Sequence, residues 1–94
     1  METRVQSGLT ALGDSTRLAI FERLGAHLRA LKELAAGRPV SRPAVSQHSR
    51  VLKHARLVRD RREGASRNYE LNPRGIALLR DHVDRLVRSV MESR

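Results

Sequence analysis

Pro39-Val40-Ser41-Arg42-Pro43-Ala44-Val45-Ser46-Gln47-His48-Ser49-Arg50-Val51-Leu52-Lys53 reads as a turn followed by a short helix. Gly37 and Pro39 break the chain before it, and Pro43 suits the first helical position, with Ser41 or Arg42 before it. Val45, Ser49 and Leu52 fall on one side at helical spacing. Pro43, Ser46, Gln47, Arg50 and His54 fall on another. That second side is built almost wholly from hydrogen-bonding groups and is too short for a membrane. It suits a polar, negatively charged partner.

The charge balance agrees. Nineteen Lys and Arg stand against ten Asp and Glu, a formal net charge of +9 in 94 residues. Residues 38–67 hold nine Lys and Arg and two acids, so +7 of the +9 sits in the middle third. Such a concentration points to nucleic acid, an acidic partner or an anionic surface. The length suits one domain, 1–94, near the lower end of independent stability. There is no cysteine, which removes disulfides, thiolate metal ligands and a cysteine nucleophile. Residues 2–10 lack the apolar core of a signal peptide, and no apolar run approaches the ~20 residues of a membrane span. A cytoplasmic location is expected. Phe21 and Tyr69 are the aromatics, too few for a platform on which single-stranded bases stack.

Outward from the quoted stretch, the chain is helical on one side and turns to strand on the other. Val5, Leu9 and Leu12 repeat at four and three, a first amphipathic helix that Gly13 ends. Asp14 is placed to cap a second helix, whose apolar stripe is Leu18, Phe21 and Leu24 with Ile20 beside them. A third helix is expected over roughly 28–36, from Leu28, Leu31, Leu34 and Ala35. After Ala55 the period becomes two. Residues 57–62 and 67–71 read as strands joined by Glu63-Gly64-Ala65-Ser66. Arg59 and Arg61 share one face of the first; Tyr69 and Leu71 share one face of the second. Asn72 and Pro73 open a last helix as cap and first residue. Its seam, Ile76, Leu79, Val83, Leu86 and Val90, repeats as a heptad and is widened by Leu78, Val87 and Met91. A stripe this wide serves both its own domain and a partner. The expected fold is mainly α with a small β-hairpin: a winged helix-turn-helix of about five helices and a two-stranded wing.

Three ordered motifs resemble one known family over almost the whole chain. Leu12-Gly13-Asp14-Ser15-Thr16-Arg17-Leu18-Ala19-Ile20 resembles the L-x-D-P-T-R-L-x-I signature of ArsR/SmtB-type winged-helix transcriptional repressors. Val40-Ser41-Arg42-Pro43-Ala44-Val45-Ser46-Gln47-His48 resembles that family's recognition-helix motif, V-S-x-x-x-V-S-x-H. Leu57-Val58, Arg61-Arg62-Glu63-Gly64 and Tyr69-Glu70-Leu71 resemble its wing. The resemblance implies a homodimeric DNA-binding repressor whose first and last helices form the dimer interface: Val5, Leu9, Leu12, Val83, Leu86, Val87, Val90 and Met91. The chain departs from the family pattern in four places. Ser15 replaces a proline, Ser49 a leucine, Arg56 a glycine at the turn into the strand, and Arg29 a capping Ser or Thr.

The DNA-contacting residues expected are Ser41, Arg42, Pro43, Ser46, Gln47, His48, Arg50, Lys53, Arg61, Arg62 and Arg67. Gln47 suits adenine or a phosphate, and Arg50 suits guanine or a phosphate. Ser41 and Arg42 sit where free N–H groups at a helix start favour a phosphate. His48 is open to two readings, a DNA contact or a half-buried histidine that orients the turn. Arg59, Arg61, Arg62 and Arg67 suit phosphates, the alternative being an edge-strand guard against aggregation. Arg17 suits a structural ion pair. No metal is expected: the family's cysteine box is absent, and His82 is adjacent to Asp81, so the two diverge by about 100° on a helix. Asp84 and Glu92 complete a polar face instead. No cofactor or inducer is evident, and no enzyme is expected, since Ser46 and His48 diverge on their helix and no P-loop, dinucleotide turn or HExxH occurs. Double-stranded DNA and a second copy are the expected partners, and no membrane. Two rival readings are a basic RNA-binding protein and a protein-interaction module.

Overall fold

The computed structural model describes residues 3–25, 29–30 and 40–93. Among these lie four helices and a three-stranded sheet. In chain order they are α1 (Thr3–Leu12), α2 (Ser15–Leu24), β1 (Arg29–Ala30), α3 (Arg42–His54), β2 (Val58–Glu63), β3 (Ser66–Leu71) and α4 (Pro73–Glu92).

The helix starts follow from capping chemistry. The Asp14 carboxylate accepts from the backbone N–H groups of Thr16 at 2.9 Å and Arg17 at 3.0 Å, relieving two free donors of the first turn of α2. Ser41 Oγ accepts from Ala44 N at 3.3 Å to start α3. That helix begins at Arg42, so Pro43 is its second residue rather than its first. Asn72 holds the cap position of α4 but does not cap it. Its side-chain N–H bonds instead to the Arg56 carbonyl at 3.0 Å.

The core is one cluster. Ala11, Ile20, Leu24, Val45, Leu52, Ala55, Leu57, Val58 and Tyr69 are buried together, with Phe21, Ile76 and Leu79 packed against them. The inner side of α3 is Val45, Ser49 and Leu52, so the helix shows its other sides to solvent. Ser49 Oγ is buried and finds no hydrogen-bond partner among the described residues. Leu18 turns outward, and Ile20 and Leu24 supply the buried stripe of α2. They are four apart, one turn above the other.

The hairpin pairs Val58 with Leu71 through Glu63 with Ser66. Only Gly64 and Ala65 form the loop, with Gly64 at φ 60°, the geometry of a type II′ turn with glycine first. Cross-strand partners share a face. Val58, Asp60 and Arg62 therefore lie with Leu71, Tyr69 and Arg67; Arg59, Arg61 and Glu63 lie with Glu70, Asn68 and Ser66.

The sheet corrects one sequence expectation. Arg29 and Ala30 pair antiparallel with Tyr69 and Asn68, giving the strand order β1-β3-β2. The stretch expected as a helix over 28–36 therefore opens in strand at 29–30, where it satisfies backbone groups on the outer edge of β3. Arg29 is not a helix cap. Residues 31–39 lie outside the described residues.

Candidate nucleic-acid interface

Residues Arg42, Pro43, Gln47, Arg50, Lys53 and His54 are exposed along α3, and Ser46 and His48 are half-buried. The helix is fixed at both ends. Arg17 ties its first half to the body: its Nε donates to the Ala11 carbonyl at 2.8 Å, and its Nη1 lies 3.5 Å from His48 Nδ1. Arg17 thus bridges α1 and α3, and His48 sits at the edge of the exposed face.

The other end closes in a Schellman motif. Leu57 N–H bonds to the Leu52 carbonyl at 3.0 Å, and Arg56 N–H to the Lys53 carbonyl at 3.0 Å. The residue that must take the left-handed conformation is Arg56, at φ 65°.

Between α3 and the wing runs a groove of about 600 Å³ whose walls include Arg50, Lys53, His54, Asp60, Arg67 and Tyr69. Two carboxylates organise the charge of the wing, one on each face. Asp60 is 2.9 Å from Lys53 Nζ and 3.7 Å from Arg67 Nε. The hydrogen bond from Lys53 is the main reason its carboxyl is held below the usual value. On the opposite face of the hairpin, Glu70 is 2.9 Å from Arg59 Nε and 3.5 Å from Arg61 Nη2. Arg50 and Arg62 make no ion pair among the described residues.

The structure therefore brings Arg50, Lys53 and Arg67 to one groove and sets Arg61 on the other side of the wing. Arg62 is directly across from Arg67 near the tip. Ser41, Arg42 and Pro43 stand at the far end of α3, about 13 residues or ~20 Å along the axis from His54.

The residues given to a dimer seam divide. Val5, at 3% exposure, is spent inside its own protomer, and Leu12 is half-buried against the core. Val5 is thus a core residue, because α1 turns Val5, Gly8 and Ala11 inward. Leu9 is exposed. On α4, Ile76 and Leu79 reach the core, and beyond them exposure climbs from 42% at Val83 to 68% at Met91. Leu86, Val87, Val90 and Met91 line a shallow apolar hollow of about 260 Å³. On the same helix, Asp81 accepts from Arg80 at 3.0 Å. No helix among the described residues is long and apolar enough to cross a membrane.

A scan against protein-family models finds no match. The chain is 59% identical over 75 residues to the HTH-type transcriptional regulator Rv2034 of Mycobacterium tuberculosis, across 80% of this chain and 70% of that one. A crystal structure of a possible transcriptional regulator for arsenical resistance superposes with a TM-score of 0.77 at 37% identity, over 92% of this chain and 95% of that one. A solution structure from Mycobacterium bovis is a homodimeric winged helix-turn-helix DNA-binding domain of a possible ArsR-family regulator. It matches at a TM-score of 0.73 and 26% identity, over 97% of this chain and 84% of that one. The chain belongs to the ArsR family of winged helix-turn-helix transcriptional regulators.

Within this ArsR-family fold, sequence reasoning missed Asp60 and Glu70. Both are visible in principle. Once the hairpin register is set, Glu70 is directly opposite Arg59, and Asp60 is diagonal to Arg67. The Arg17–His48 approach had no local signal, since 31 residues separate the two.

Proposed function

We propose that this ArsR-family chain is a dimeric repressor that reads an inverted-repeat operator in duplex DNA, the 94 residues acting as one binding unit. In this reading α3 enters a major groove. Ser46, Gln47 and Arg50 meet base edges, and Ser41, Arg42 and Pro43 seat a phosphate at the helix start. Lys53, Arg62 and Arg67 hold the flanking backbone, with His48 oriented by Arg17. Arg61 reaches DNA only by leaving Glu70. The observation that carries the reading is the exposed polar row of α3, whose cations continue across one groove onto the wing.

A second copy completes the site. Leu9, Val83, Leu86, Val87, Val90 and Met91 form the seam, which supports two α3 helices set about one helical turn apart, ~34 Å. The M. bovis relative is homodimeric, which supports the same arrangement. The near-absence of aromatics weighs against single-stranded RNA.

A gel-shift titration with duplex DNA over a range of salt tests the reading. Binding should weaken along a steep log–log slope as phosphate-bound cations are released. Binding without a slope, or preference for RNA over duplex DNA, overturns it. Footprinting across a genome then gives the operator.

A further inference from the structure

A carboxylate in the middle of a basic groove is the feature the proposed function leaves unused. Asp60 lies on the groove side of β2, and its carboxyl oxygens draw in one cation from each wall: Lys53 from α3 at 2.9 Å and Arg67 from β3 at 3.7 Å. The side chain is 23% exposed, against 50% for Lys53 and 40% for Arg67. The acid is thus set deeper than the cations that grip it. An anionic oxygen held between a lysine from the helix and an arginine from the wing is also what a DNA backbone phosphate would present at this place.

From this geometry we propose that Asp60 is an internal stand-in for a backbone phosphate, a positioning residue that DNA displaces. The inference rests on the duplex-DNA reading above. Without DNA, Asp60 keeps Lys53 and Arg67 converged and fixes the opening between α3 and the wing. On binding, a phosphate oxygen takes over the two cations from the open side of the groove, and Asp60 is left on its floor without them. Each such contact exchanges one ion pair for another. The net gain is therefore smaller than two unpaired cations would give, and Asp60 sets the strength of sequence-independent binding. Base readout through Gln47 and Arg50 then decides where the protein stays.

Asp60→Asn tests this. Asparagine keeps the size and one oxygen but not the charge. Binding to a duplex of arbitrary sequence, about two helical turns long, should tighten roughly three- to tenfold near 0.1 M salt. The log–log salt slope should steepen by about one. The gain should vanish when Lys53→Ala and Arg67→Ala are already present. No gain, or an equal gain without those two cations, overturns the inference, because the carboxylate then acts only through net charge. Wild-type protein that fails to bind duplex DNA at all sinks the underlying reading instead. Should Asp60→Asn not fold by circular dichroism, the wild-type chain still decides. Its Asp60 carboxyl 13C signal should move as duplex is added, and a fixed signal rejects the exchange.

Discussion

Gly75 lies against the backbone of Arg56: a methyl group built on its Cα would fall 1.7 Å from the Arg56 carbonyl oxygen and 2.7 Å from its carbonyl carbon. The same carbonyl accepts from the Asn72 side chain. The turn that ends α3 is thus seated on the first turn of α4, and the two helices hold each other through one peptide group. Neither partner atom is a side chain that could swing away. Gly75→Ala should therefore destabilise the fold by about 3 kcal/mol, the upper range for overpacking. A chemical denaturation curve measures it. A loss under about 0.5 kcal/mol would mean that the contact yields easily.

Arg56 itself gives the opposite prediction. It adopts φ 65°, where a side chain costs roughly 1–2 kcal/mol relative to the right-handed region. Arg56→Gly removes that cost but leaves a looser unfolded chain. A net gain of about 1 kcal/mol is expected from the same denaturation measurement. An unchanged or lower midpoint would show that the arginine side chain repays its strain through contacts of its own.

Much of this architecture could be read from the sequence because it rests on local chemistry. Asp14, Ser41 and Pro73 mark helix starts by their own side chains. The change of period after Ala55 marks the hairpin, and Tyr69 declares its buried face by alternation. What escaped has a common cause. The strand at Arg29–Ala30 exists because β3 offers an edge some 40 residues further on, and nothing in the Leu-rich run near it says so. Asn72 has the residue type and place of a cap, just before Pro73, whereas its side chain is drawn off by a carbonyl 16 residues away. Exposure was legible for Gln47 and Arg50. The electrostatic partners of Lys53 and Arg67 were not, since they depend on how the wing leans on α3.

Ser49 is a second internal test. Its hydroxyl is buried on the inner side of α3 without a partner among the described residues, although a bond to the Val45 carbonyl would have been available to a serine in a helix. An unsatisfied buried hydroxyl costs roughly 1–3 kcal/mol, and removing it without changing shape recovers part of that. Ser49→Ala should raise stability by about 1 kcal/mol and leave DNA binding unchanged. Thermal melting and the gel shift read the two effects separately. A less stable variant would point to a hydrogen bond made by that hydroxyl.

Acid should loosen the fold through Asp14 and Asp60. The Asp14 carboxyl is held below its usual 3.8 chiefly by the hydrogen bond from Arg17 N. Asp60 is held below the same value chiefly by Lys53. Both are lower folded than unfolded, so the folded state binds fewer protons and stability rises with pH through this window. Their contribution is complete above 3.8 and disappears as pH falls through the folded values. The melting temperature should therefore hold from neutrality to about pH 5 and fall below about pH 4. Asp14→Asn with Asp60→Asn should flatten that fall, since asparagine still caps a helix but does not titrate. An identical acid profile in the double variant rules these carboxylates out as its source.

Base-edge and phosphate contacts separate by their salt behaviour. Gln47→Ala or Arg50→Ala should cost about 1–3 kcal/mol of preference for the operator over unrelated duplex, with little change in slope for the unrelated sequence. Arg62→Ala should weaken binding to both equally and lower the slope by roughly one. Arg62 is the informative choice on the wing, because Arg59, Arg61 and Arg67 already hold carboxylates. A selective loss on Arg62→Ala would mean that the wing, too, reads sequence.

The outer half of α4 gives the remaining prediction. Val87 and Val90 expose half or more of their surface, beside Leu86 and Met91, and no described residue of the same chain covers them. Burying one such side chain against a second copy contributes roughly 1.5–3 kcal/mol, or about a tenfold to hundredfold change in Kd. A charge in place of one valine should reverse that and add the cost of desolvation. Val90→Asp is therefore expected to shift the protein towards monomer in sedimentation while its melting curve, governed by the core around Ile20 and Leu52, changes by under about 0.5 kcal/mol. Operator affinity should fall with it, because two recognition helices then meet their half-sites separately. Retained dimer with full operator binding would place the seam elsewhere.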